Sequence, residues 1–95
     1  MAQFTVRVEL HEAQWADYES LHAAMECKGF SRRITGDDGL TYQMPWAEYD
    51  ATSSLSSMEV LGYAQQAANS TGKKNAVLIT EAKSRAWCGL PIARN

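Results

Sequence analysis

Little in this sequence is in excess, and each shortage removes a class of protein. Two cysteines, Cys27 and Cys88, stand far apart in the chain. Two thiols are too few for a disulfide framework, and neither has a partner at the short spacing of zinc motifs, so both read as reduced side chains and no metal is expected. No apolar run exceeds a few residues, which excludes a membrane-spanning helix. The amino terminus passes directly into an alternating pattern without a signal-peptide core, which favours a cytoplasmic location. There is no surplus of positive charge. A formal net charge of −2 counts against a strong non-specific nucleic-acid binder, while leaving room for a local basic patch. Neither an internal repeat nor a linker divides the chain, so residues 1–95 are expected to form one domain.

What is present is ordinary globular material: 45% hydrophobic and 21% charged residues, enough of the former to argue against disorder. Phe4, Val6, Val8 and Leu10 alternate with Thr5, Arg7, Glu9 and His11, the period of a strand with one face on a core. From Trp15 to Lys28 the period becomes helical, with Trp15, Tyr18, Leu21, His22 and Met25 on one side and Gly29 placed to stop the helix. Phe30–Thr35 reads as a strand. Gly36-Asp37-Asp38-Gly39 is a turn, and the returning strand runs through Leu40, Tyr42 and Met44. Pro45 cannot donate to a ladder and marks an edge, a bulge or an interruption; beyond it the strand is expected to resume through Trp46 to Ala51. Ser56 three positions before Glu59 fits a capping box for a helix over Ser57–Ser70. The apolar run within Asn75–Thr80 reads as a central strand. Residues 82–95, with Trp87, Leu90 and Ile92, are too apolar for a free tail and are expected to add an edge strand or to pack on a second copy. Together these elements predict βαββαβ. This is the ferredoxin-like α+β arrangement, a four-stranded antiparallel sheet with both helices on one face.

Candidate chemistry is sparse. Arg32 and Arg33 are adjacent on a strand and point to opposite faces; either guanidinium has the fork that grips phosphate, and either is equally at home as a strand-edge charge. Arg7 and Glu9 lie on the sheet face away from the helices. An RNA-recognition motif carries aromatics there, whereas this chain offers Thr5, Arg7, Val77 and Leu78, so that reading is poor. His22, at the margin of the helix's apolar stripe, has the chemistry of a general base but also the position of a half-buried, hydrogen-bonded side chain. His11 reads as solvated. Asp37 and Asp38 read as turn formers before cation ligands, and Asp50 is a candidate neighbour of Glu9 across the sheet. Trp15, Trp46 and Trp87 are core or interface anchors, with Trp46 beside Pro45 the strongest candidate to meet a partner.

One set of residues resembles a known family. Gly29-Phe30-Ser31, Gly39 in the hairpin turn, Ala51-Thr52-Ser53-Ser54-Leu55 and Ser57-x-Glu59 are similar to the GhoS antitoxins of type V toxin–antitoxin pairs, over roughly Phe4 to Ala68. The resemblance implies a ferredoxin-like fold, akin to the small CRISPR-associated adaptation nucleases. It also implies endoribonucleolytic cleavage of a toxin messenger RNA, without an organic cofactor. The family's first helix carries arginines linked to cleavage, where this chain reads Ser20-Leu21-His22 with no arginine between Arg7 and Arg32. The CRISPR-associated relatives have an aspartate at the end of the first strand, where this chain has Glu9 and Glu12.

Two functions follow. The first is an RNA-binding, GhoS-like homodimer that cleaves by setting a ribose 2′-hydroxyl against its own phosphate, with His22 and Arg33 catalytic and Arg7 and Arg32 binding RNA. The second is a non-catalytic protein-binding module or inhibitor of a phage or mobile element, using Trp46 and Trp87. A small-molecule regulatory domain is a third class, but no phosphate or ligand loop supports it.

Overall fold

The computed structural model describes Met1–Ala93. Period-two alternation produces the longest strand, β1 (Ala2–Leu10), whose Phe4, Val6, Val8 and Leu10 are buried while Gln3, Arg7 and Glu9 are exposed. Helix α1 (Trp15–Cys27) follows, started by Asp17, whose carboxylate accepts from the Gln14 amide at 2.9 Å. Gly29 ends it at φ +89°. Two short strands, β2 (Arg33–Thr35) and β3 (Thr41–Gln43), form a hairpin around the Asp-Asp turn, where Asp38 accepts from the Leu40 amide at 2.9 Å and from the Tyr42 hydroxyl at 2.6 Å. Strand β4 (Glu48–Ser53) leads to α2 (Ser57–Asn69). Ser56 and Glu59 cap that helix reciprocally at 3.2 and 3.1 Å, as their spacing predicts. Strand β5 (Asn75–Ala82) completes the order.

The main sheet is antiparallel with the order β4-β1-β5. Leu21 and Met25 of α1, and Val60, Ala64, Ala67 and Ala68 of α2, join the buried face of β1 in one core with Phe30, Tyr49 and Ala51. Both helices therefore use the same side of the sheet. Burying each of the larger side chains stabilises the fold by roughly 1.5–3 kcal/mol. The small residues of α2 let it lie close over β5, its principal contact. Among the described residues no helix is long and apolar enough to cross a membrane.

Three expectations need correction. The anticipated single four-stranded sheet is instead a three-stranded sheet and a separate hairpin. Pro45 has no amide to donate, and Glu48 closes a tight turn on the Pro45 carbonyl at 3.0 Å with Ala47 at φ +60°, so the long third strand breaks into β3 and β4. What remains of a fourth strand is one bridge, in which Ser31 and Asp50 exchange amide hydrogen bonds of 2.8 and 2.7 Å. Second, β5 is an edge and β1 is central; Val77 and Ile79 face the core, but Leu78 is 62% exposed. Third, the carboxy-terminal segment adds no strand to the main sheet but folds across one end of the sheet face away from the helices. Arg85 reaches Asp50 at 2.7 Å, the Thr5 hydroxyl at 3.2 Å and the Phe4 carbonyl at 3.3 Å. The chain then bridges to β3, with the Gln43 amide on the Pro91 carbonyl and the Ala93 amide on the Thr41 carbonyl at 2.8 and 2.9 Å.

Candidate functional site

Helical spacing sets Trp15, Tyr18 and His22 along one stripe of α1. The Pro45–Glu48 turn brings Trp46 onto that stripe. Its indole stacks on Trp15 with centroids 4.8 Å apart and planes 24° apart, and it lies 5.5 Å from the Tyr18 ring. The Arg32 guanidinium stands 5.9 Å from the Trp46 centroid, within cation–π range. Both tryptophans remain accessible, Trp15 at 68% and Trp46 at 45%. The result is a surface patch of two stacked indoles and one guanidinium.

Beneath it lies His22, only 4% exposed. Its Nδ1 is 2.7 Å from the Tyr49 hydroxyl, and its ring meets Trp46 at a right angle with centroids 4.9 Å apart. Nε2 is buried without a hydrogen-bond partner. Burial pushes the His22 pKa down and nearby Arg32 adds to this, against weaker opposition from Glu19 and Glu26. The same burial pushes the Tyr49 phenol upwards. His22 and Tyr49 are thus a neutral pair that supports the indole above them. Tyr18 anchors the stripe to the sheet, its hydroxyl accepting from the Leu10 amide at 3.1 Å.

Of the residues selected from the sequence, His22, Arg32 and Trp46 come together. Arg33 is exposed at the start of β2, its amide donating to the Ser31 hydroxyl at 3.1 Å. Arg7 lies on the opposite sheet face, across from Glu48 and Leu78. Trp87 packs edge-on against Tyr42 at 5.6 Å, beside the hairpin rather than at the patch. It lines a cleft of about 490 Å³ between the hairpin and the sheet, with Thr5, Met44 and Arg85. Asp50 does not approach Glu9. It pairs with Arg85, and its register partner Thr5 is four residues from Glu9, roughly 13 Å along the strand. Glu9 instead lies 3.5 Å from His11. Among the described residues no three His, Cys, Asp or Glu side chains gather as a metal site, and both cysteines are free and exposed.

Tyr49 and the stacking of Trp15 on Trp46 escaped the sequence reading. The helical stripe was visible in the spacing, but the arrival of Tyr49 and Trp46 depends on a turn that spacing does not describe. Neither a protein-family model nor a curated protein sequence matches this chain.

Proposed function

We propose that this protein is a small RNA-binding protein of the GhoS-like kind, contacting an unpaired stretch of RNA through Trp15, Trp46 and Arg32. The observation that carries the reading is the exposed indole stack with a guanidinium at its side. Unstacked bases bind to such surfaces because every base has a π-face, while arginine takes the adjoining phosphate. The element order and the Ser31–Asp50 bridge beside β4 support a ferredoxin-like fold whose fourth strand has shrunk to a single pair.

In this reading Arg33, next to Arg32 in the chain, stabilises charge on a phosphorane if the RNA is cut. His22 holds Trp46 from below, since its Nδ1 is committed to Tyr49. Arg7, on the far face, contributes only if the strand wraps around the edge of the sheet. The test is binding and cleavage of labelled single-stranded RNA over a salt series, with and without magnesium. Binding lost in Trp46→Ala and Arg32→Ala supports the proposal; no association at low salt overturns it.

A second reading, a protein-binding module, is favoured by the acidic residues of α1 and its approach. Glu12, Glu19 and Glu26 are exposed there, and they repel a polyanion. Tryptophan and arginine are also the residue types that dominate protein hot spots. Failure of RNA binding, with the patch intact, transfers the patch to that role.

A further inference from the structure

Four aromatic side chains line up from the surface into the core where α1 meets the Pro45–Glu48 turn. Trp15 stacks on Trp46 with ring centroids 4.8 Å apart, Trp46 meets the His22 ring at 4.9 Å, and His22 lies 5.9 Å from the ring of Tyr49. The first is 68% exposed and the last fully buried. Indole and phenol are the aromatic side chains that give up a single electron most readily, and gaps of this size are crossed by tunnelling. The series has the spacing of an electron path, with its mouth at the indoles and its end in the core.

The buried end can also part with a proton. Among the described residues the Tyr49 hydroxyl has one hydrogen-bond partner, His22 Nδ1 at 2.7 Å. Donation from the phenol to Nδ1 leaves one buried polar atom unmet, Nε2, whereas the reverse arrangement strands the phenolic hydrogen as well. The imidazole is thus placed to accept. Burial disfavours phenolate, but it does not penalise a neutral phenoxyl, which carries no charge to desolvate. A phenol that has lost an electron is a strong acid, so even an imidazole whose basicity burial has lowered takes its proton.

We propose that Trp15, Trp46, His22 and Tyr49 form a radical relay that clears one-electron oxidation from the exposed indoles, whatever the patch binds. The co-reactant is a diffusible one-electron oxidant. It takes one electron from Trp15 or Trp46 and leaves an indole radical cation. Tyr49 then gives one electron to that indole while its O–H bond breaks and the proton passes to His22 Nδ1. The products are the intact indole, a neutral Tyr49 phenoxyl and the His22 imidazolium, so the single positive charge is conserved. An indole that has first shed its N–H proton to water regains one on reduction. The phenoxyl is held where no second chain can couple to it. Two other phenols lie near indoles. Tyr18 is 5.5 Å from Trp46, but its hydroxyl meets only the Leu10 amide and carbonyl, and neither is a base. Tyr42 donates to Asp38 and adjoins Trp87, away from the stack.

Pulse radiolysis with azidyl radicals, which oxidise indoles fastest among side chains, tests the proposal in the Trp87→Phe chain, where Trp15 and Trp46 are the remaining indoles. The indolyl absorption is expected to decay by a first-order process, independent of protein concentration, as the phenoxyl absorption grows. Adding Tyr49→Phe removes that growth, and adding Tyr18→Phe leaves it. Adding His22→Phe takes away the proton acceptor and slows the transfer by about tenfold or more. Circular dichroism checks that each variant is folded. Heavy water gives a reading that needs no change at Tyr49 or His22: the transfer slows, because the O–H bond breaks as the electron leaves. Absence of phenoxyl growth, or growth that persists in a folded Tyr49→Phe chain, overturns the relay. A rate that heavy water leaves unchanged overturns the role of His22 as proton acceptor, and the proposal with it.

Discussion

His22 and Tyr49, twenty-seven residues apart in the chain, meet 2.7 Å apart beneath Trp46. The pair ties the middle of α1 to β4 at the point where the Pro45–Glu48 turn enters the sheet. Removing the hydroxyl by Tyr49→Phe keeps the ring volume but leaves a second buried imidazole nitrogen without a partner. The expected loss is about 1–3 kcal/mol of folding stability, read as a lower urea midpoint with an unchanged slope.

The same imidazole sets a pH dependence. Its pKa in the fold lies below the ordinary 6.5, because burial and Arg32 disfavour the charged ring. Above 6.5 the ring is neutral both folded and unfolded, and stability does not depend on it. Below 6.5 the unfolded chain takes up the proton first, so stability falls as the pH drops towards the folded pKa. The groups facing the ring are Glu19 and Glu26 from its own helix, Arg32 from the segment before β2, and Tyr49 from β4. Denaturation midpoints measured downwards from pH 7.5 should decline on crossing 6.5, and His22→Phe should flatten that part of the profile. An unchanged slope in His22→Phe assigns the effect to other groups.

Much of this architecture can be read along the chain, because alternation in β1 and the Ser56–Glu59 spacing are local. Pro45 also announces an interruption by its chemistry. The edge position of β5 is not legible, since an apolar run records hydrophobicity and not which neighbours flank it. Nor is the site, beyond its helical stripe. Trp46 reaches Trp15 through a turn with Ala47 at positive φ, a conformation that glycine would advertise and alanine does not. Asp50 finds Arg85, thirty-five residues away, from a segment whose path only the folded chain defines.

Ala47 itself provides a sharp test. A left-handed alanine costs about 1 kcal/mol relative to glycine, and its small buried methyl returns only part of that. Ala47→Gly is therefore expected to raise stability by roughly 0.5 kcal/mol, while Ala47→Val lowers it by more than about 1 kcal/mol. Thermal unfolding of the two variants decides; a destabilised glycine variant shows that the methyl contact outweighs the backbone strain.

For the proposed RNA contact, the two halves of the patch have different signatures. Stacking is worth about 1–3 kcal/mol per base, so Trp46→Ala is expected to weaken binding by about tenfold or more with little change in salt dependence. Arg32→Ala removes one phosphate contact, and the slope of log affinity against log salt should fall by about 0.7 for a single strand. Fluorescence anisotropy over a salt series separates the two.

Arg85 fastens the carboxy-terminal segment, and its removal should act locally. Its guanidinium pairs with Asp50 at 2.7 Å and donates to the Thr5 hydroxyl and the Phe4 carbonyl, with both ends of the ion pair largely shielded. Arg85→Ala leaves the Asp50 carboxylate without its partner on the sheet and is expected to cost about 1–3 kcal/mol. Lysine restores the charge but not the fork that spans three acceptors, so Arg85→Lys should recover only part of the loss. The main core, built from β1, β4 and the helices, does not include this segment. Limited proteolysis of Arg85→Ala should therefore cut first between Ala82 and Ala93 while the remaining domain stays protected. Cleavage spread evenly along the chain would mean that the segment is part of the cooperative fold.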